Sequence, residues 1–156
     1  MLKVRKLARS APVASLGLAA VNIAFDIELQ QQDNWCWAAV SSSVSFFYLP
    51  ISKWTQCEVA TAEVGGNCCA KPAPCNVAWS LESALNRTKN LASVTAKPMA
   101  VTAIQTELAG KRPVCARVEW KSKSAHFLGI KGHYQDKGLE GVMNSLPKSR
   151  GRPLAA

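Results

Sequence analysis

Two histidines are all that this chain carries, and its ten acidic residues face nineteen lysines and arginines. Any chemistry that needs a proton-accepting ring near neutral pH must therefore run through His126 or His133. Long apolar runs are also missing, so stable insertion into a membrane is not expected. No cysteine pair has C-x-x-C spacing and no histidine lies among the cysteines, which argues against a zinc knuckle. No metal and no cofactor are expected. There are no internal repeats. No nucleic-acid-reading motif with interleaved aromatics is present, so no nucleic-acid partner is expected despite the basic balance.

What is present fits one domain. At 156 residues, 48% of them apolar, the chain is long enough to bury a real core. The net charge of +9 is concentrated at the ends, in Lys3, Arg5, Lys6 and Arg9 and then in Lys148, Arg150 and Arg152. Residues 1–20 read as a basic start followed by small apolar residues, the layout of a secretory signal. The competing reading is a disordered arm leading to a strand over Val21–Leu29, where Ile23, Phe25 and Ile27 alternate with polar positions. A secreted protein is expected, with a cytoplasmic one as the alternative. Residues 21–147 form the folded domain and 148–156 a basic tail.

Four of the six cysteines, Cys57, Cys68, Cys69 and Cys75, crowd a short span with two prolines. That density points to an oxidising destination and to disulfides among those four, their connectivity open. Adjacent Cys68 and Cys69 should take different partners, because bonding neighbours together strains the backbone. Cys115 reads as a small strand residue or a stray thiol.

The stretch that organises the rest is Gln30-Gln31-Gln32-Asp33-Asn34-Trp35-Cys36-Trp37-Ala38-Ala39. A helix is expected to start at or just after Asn34, capped by Asp33 or Asn34, and to stop at Pro50. Cys36, Val40, Val44 and Phe47 fall on one face of it. A cysteine at a helix start sits in the positive end of the macrodipole, which favours the nucleophilic thiolate. A glutamine upstream can donate an amide N–H to the oxyanion formed when that thiolate attacks a carbonyl. Gln30 is the candidate, with Gln31 and Gln32 as competitors.

Further along, Thr55-Gln56-Cys57-Glu58 has the form of a capping box opening a helix to Val64, and Gly65-Gly66-Asn67 ends it. Asn76 is read as the cap of a third helix through Asn86, with Val77, Leu81, Ala84 and Leu85 inward. Thr102 is read as the cap of a fourth, burying Ile104 and Leu108 and ending at Gly110. From Pro113 the period becomes two: a strand over Val114–Trp120, a second over Ala125–Gly132, a polar turn over Lys131–Gly138, and a third strand over Leu139–Asn144. Helices first and an antiparallel sheet later give an α+β order.

The cysteine motif resembles the nucleophile segment of papain-like cysteine proteases, in particular the small bacterial secreted, effector-type branch. The likeness continues through Trp54-Thr55-Gln56-Cys57, Cys68-Cys69-Ala70, Arg112-Pro113-Val114 and Ala125-His126-Phe127, from about Phe25 to about Asn144. It implies a fold in which N-terminal helices pack on a C-terminal antiparallel sheet. Such proteins normally continue with more sheet, so a form truncated at its C-terminus is expected. The resemblance implies a cysteine endopeptidase, monomeric, acting on protein or peptide through a thioester acyl-enzyme. Cys36 is then the nucleophile, His126 the general base rather than His133, and Gln30 the oxyanion donor. The third member, which orients the imidazole, would be Asn144, with Asp136 as the alternative. The competing function is a catalytically impaired papain-like domain that binds peptide or a partner protein.

Overall fold

The computed structural model describes residues 20–122, 124–136 and 139–145. The basic start with its apolar stretch, the tail from Lys148, and the last two residues of the expected turn, Lys137 and Gly138, lie outside the described residues. The elements are β1 (Val21–Asn22), α1 (Cys36–Tyr48), α2 (Gln56–Val64), α3 (Leu81–Arg87), α4 (Val101–Ala109), β2 (Val114–Glu119), β3 (Ala125–Asp136) and β4 (Leu139–Ser145), with a short 3-10 turn at Ala73–Cys75. The order is α+β, as the sequence implies.

Helix α1 is the centre of the helical layer. It ends at Tyr48, and Leu49 is already extended, as the residue before a proline prefers. Every residue from Trp37 to Ser45 is buried, including Ser41, Ser42, Ser43 and Ser45. Alanine and serine are small enough to let other backbone approach on all sides. The buried hydroxyls find partners: Ser43 Oγ donates to the Ala39 carbonyl (2.7 Å) and accepts from the Glu28 N–H (2.9 Å), and Asn90 Nδ2 donates to Ser45 Oγ (2.8 Å). The helix is enclosed rather than striped.

Among the later helices, two caps differ from expectation. Thr55 does cap α2, accepting from the Glu58 N–H, and Gly65 ends that helix with a φ of 89° that suits a residue without a Cβ. Asn76, by contrast, caps nothing. The third helix starts five residues later, capped by Ser80, whose side chain accepts from the Ser83 N–H. Asn76 is committed to a partner far away in the sequence, and residues 76–80 belong to no helix or strand, with Val77 exposed. In α4 the cap is Ala100, without a side-chain bond, and Thr102 lies inside the helix. The buried pair Ile104 and Leu108 and the end at Gly110 are as expected.

Strand β3 is the spine of the sheet. β2 pairs antiparallel with its first half, Val118 opposite His126 and Val114 opposite Ile130. β4 pairs with its second half, and β1 with Gly132 and His133. The stretch Lys131–Asp136, read from sequence as a polar turn, is therefore strand. Pairing on both edges satisfies its backbone, which outweighs the turn-like composition. β1 is shorter than expected. The inward alternation of Ile23, Phe25 and Ile27 holds in burial, but a local Phe25 N–H to Ile23 carbonyl bond (2.7 Å) ends the ladder. Phe25 then lies over β3: a methyl group on Gly129 would stand 2.4 Å from its ring. That close approach is why glycine interrupts the run His126-Phe127-Leu128-Gly129-Ile130.

The cysteine loop is cross-linked twice, Cys57 to Cys69 and Cys68 to Cys75. The neighbours do take different partners, and each bridge closes a short loop worth about 2–3 kcal/mol. Cys36 and Cys115 are free. Unfolded, unreduced protein is expected to titrate two thiols; four or more would contradict the bridges. In the native state Cys115 should stay silent to iodoacetamide at neutral pH, because burial pushes its thiol up to about 12.

Candidate active site

Cys36 is the first residue of α1, and Trp35 is the N-cap, with no side-chain cap bond. Neither Asp33 nor Asn34 caps the helix; Asn34 points its amide at Asn76 instead. The first backbone bond into the helix is Ala39 N–H to the Trp35 carbonyl (2.8 Å), so the amides of Cys36 and Trp37 are left over at the helix end. These amides, together with the backbone amide of Phe127 from β3, act to lower the pKa of the Cys36 thiol.

These groups set the thiol's character. Burial raises the Cys36 thiol above its ordinary value, the three backbone amides oppose the rise, and burial prevails. The amides at the helix end act to favour the thiolate, but desolvation outweighs them in the resting site. An additional proton acceptor is needed.

The Phe127 amide brings the start of β3, where His126 stands, near Cys36. The His126 ring lies 6.3 Å from the ring of Trp120, centroid to centroid. Trp120 follows β2 and its N–H donates to the Ser124 carbonyl (2.9 Å), closing the β2–β3 connection. Sequence reading treated Trp120 as one more alternating strand residue; its position six before His126, across a short hairpin, was the available signal. Trp120→Ala is expected to lower kcat/KM by roughly tenfold through a less confined imidazole, with the melting temperature nearly unchanged.

Gln30 lies beneath the loop, buried, while Gln31 is exposed and Gln32 half-buried. Its Nε2 donates to the carbonyls of Gln32 (3.0 Å) and Asp33 (2.8 Å). Its Oε1 is buried with no hydrogen-bond partner among the described residues. The loop is held from the other side by Gln56, which accepts from the Gln31 N–H (2.9 Å) and donates to the Leu29 carbonyl (2.8 Å).

The remaining expected members are spread along β3. Asn144 is registered opposite Ile130. That is four residues beyond His126, about 13 Å along an extended strand. His133 and Asp136 stand seven and ten residues beyond His126 on the same strand. Asp136 would need a turn to fold back, and the strand instead carries it away. Among the described residues no cluster of three or more His, Cys, Asp or Glu side chains is arranged to hold a metal ion, and no helix is long and apolar enough to cross a membrane.

A cysteine at a buried helix start, set against a histidine-bearing antiparallel sheet, is the layout of a papain-like thiol hydrolase. Residues 18–148 match the family described as papain-like cysteine protease AvrRpt2, which is most of the chain. The chain belongs to that family. No curated protein and no solved structure gave a match.

Proposed function

We propose that the protein is a cysteine endopeptidase acting through Cys36 and His126. The observation that carries the reading is that the Phe127 backbone amide acts to lower the pKa of the Cys36 thiol, because it brings the start of β3, which carries His126, near the start of α1. In the proposed reaction the imidazole takes the thiol proton and the sulfur attacks the peptide carbonyl carbon. The Cys36 amide donates to the resulting oxyanion. Gln30 Nε2 joins it by exchanging the Asp33 carbonyl for the oxyanion. Collapse breaks the C–N bond, and the imidazolium protonates the departing amine. Water, deprotonated by His126, then cleaves the thioester and releases the acid. Asn144 is the proposed orienting group for the imidazole, with Asp136 as the alternative; the strand register sets both apart from His126, Asn144 the nearer.

The substrate is a protein or peptide and the working form a monomer. Two disulfides support a secreted protein over a cytoplasmic one. The test is a peptide carrying a thiol-directed electrophile. Labelling of Cys36 that is lost in His126→Ala supports the enzyme. A wild-type protein that never labels would leave the peptide-binding domain as the better reading.

A further inference from the structure

Three consecutive residues outside α1 hold the chain on both sides of the nucleophile. Asn76 Oδ1 accepts from the Asn34 backbone N–H (2.9 Å), and the Asn76 carbonyl accepts from Asn34 Nδ2 (3.0 Å). The Trp35 indole N–H donates to the Cys75 carbonyl (2.7 Å), and the Trp37 indole N–H to the Val77 carbonyl (3.0 Å). Both indoles are fully buried, so each N–H needs such a partner. The helix start has no side-chain cap of its own. Its position is therefore imposed from the segment Cys75–Val77.

That segment is in turn fixed by covalent and local bonds. Cys75 is bridged to the buried Cys68, its N–H donates to the Pro72 carbonyl (3.0 Å), and the Val77 N–H donates back to the Cys75 carbonyl (2.8 Å). The second bridge ties the same loop to α2 through Cys57. We propose that Asn76, backed by the Cys68–Cys75 disulfide, is a positioning residue for the nucleophile. The inference rests on the reading of Cys36 as that nucleophile. Asn76 acts through Asn34 and Trp35, aiming the leftover amides of Cys36 and Trp37 at the sulfur and at the oxyanion. When the clamp is opened the first turn of α1 loosens, and those dipoles lose their aim without any group leaving the substrate's path.

The experiment measures kcat and KM on one peptide, and the rate of Cys36 alkylation by iodoacetamide across pH, for wild type, Asn76→Ala, Asn76→Asp and the double variant Cys68→Ser with Cys75→Ser. Asn76→Ala is expected to lower kcat by roughly tenfold with KM within about twofold, and to slow Cys36 alkylation at neutral pH. Asn76→Asp keeps the acceptor oxygen and should recover most of kcat. The cysteine double variant should move both readouts the same way as Asn76→Ala. Mere loss of structure would expose the thiol and speed its alkylation, so faster alkylation in Asn76→Ala overturns the proposal. So does an Asn76→Ala protein equal to wild type in kcat and alkylation. If the wild type cleaves no peptide but Asn76→Ala still slows alkylation, the peptidase reading falls and the positioning role stands.

Discussion

Cys36→Ala is expected to abolish peptide hydrolysis, by on the order of 10^6-fold in kcat, while the fold survives. The size follows from what the residue does in the proposed reaction. Its sulfur forms the acyl intermediate in that reaction, and the second free thiol, on Cys115, is held protonated by burial. The fold survives because only a sulfur atom is removed from a half-buried position, while the tryptophans on either side keep their hydrogen bonds. The stability cost should be about 1 kcal/mol, a shift of a few degrees in melting temperature. Cys36→Ser should be nearly as inactive, since the hydroxyl is a far poorer nucleophile in this site. Cleavage by Cys36→Ala at the wild-type rate would end the protease assignment.

The helical half was legible where local chemistry decides structure. Pro50 ends α1, Thr55 opens α2, and the period-two pattern after Pro113 marks β2 and the first part of β3. Failures came where a residue's partner is remote. An asparagine ahead of an apolar run reads as a cap, yet Asn76 is bonded to Asn34, 42 positions away. The spacing gives α1 one inward face, Cys36, Val40, Val44 and Phe47, but its small serines let neighbouring chain enclose the helix. Composition made Lys131–Asp136 a turn, while pairing with β1 and β4 makes it strand. In the site, Cys36 and His126 were readable as residue types in order along the chain. The dominance of burial over the helix dipole at Cys36 was not, because it depends on how closely β3 approaches, and the third member's register depends on a pairing that spacing cannot fix.

His126→Ala is expected to remove nearly all activity, roughly 10^4-fold in kcat/KM, and to leave a signature in the pH dependence of Cys36. Without the imidazole the thiol answers only to burial and to three backbone amides, with burial the larger effect. A raised thiol pKa keeps the neutral form through neutral pH, so iodoacetamide should react with the variant only at pH above the ordinary cysteine value of about 8.5. In the proposed reaction the wild-type thiol hands its proton to His126, a step the variant lacks. The wild-type protein should therefore be alkylated at lower pH than the variant. Superimposed profiles would show that His126 does not act on Cys36, whatever the activity loss. The same assay ranks the proposed helpers. Asp136→Ala should be close to wild type, since ten residues of extended strand separate it from His126. Asn144→Ala should fall between Asp136→Ala and His126→Ala, at about tenfold, because its register opposite Ile130 sets it nearer to His126 than Asp136 but not beside it. A damaging Asp136→Ala with a silent Asn144→Ala would overturn that assignment and the register of β4 with it.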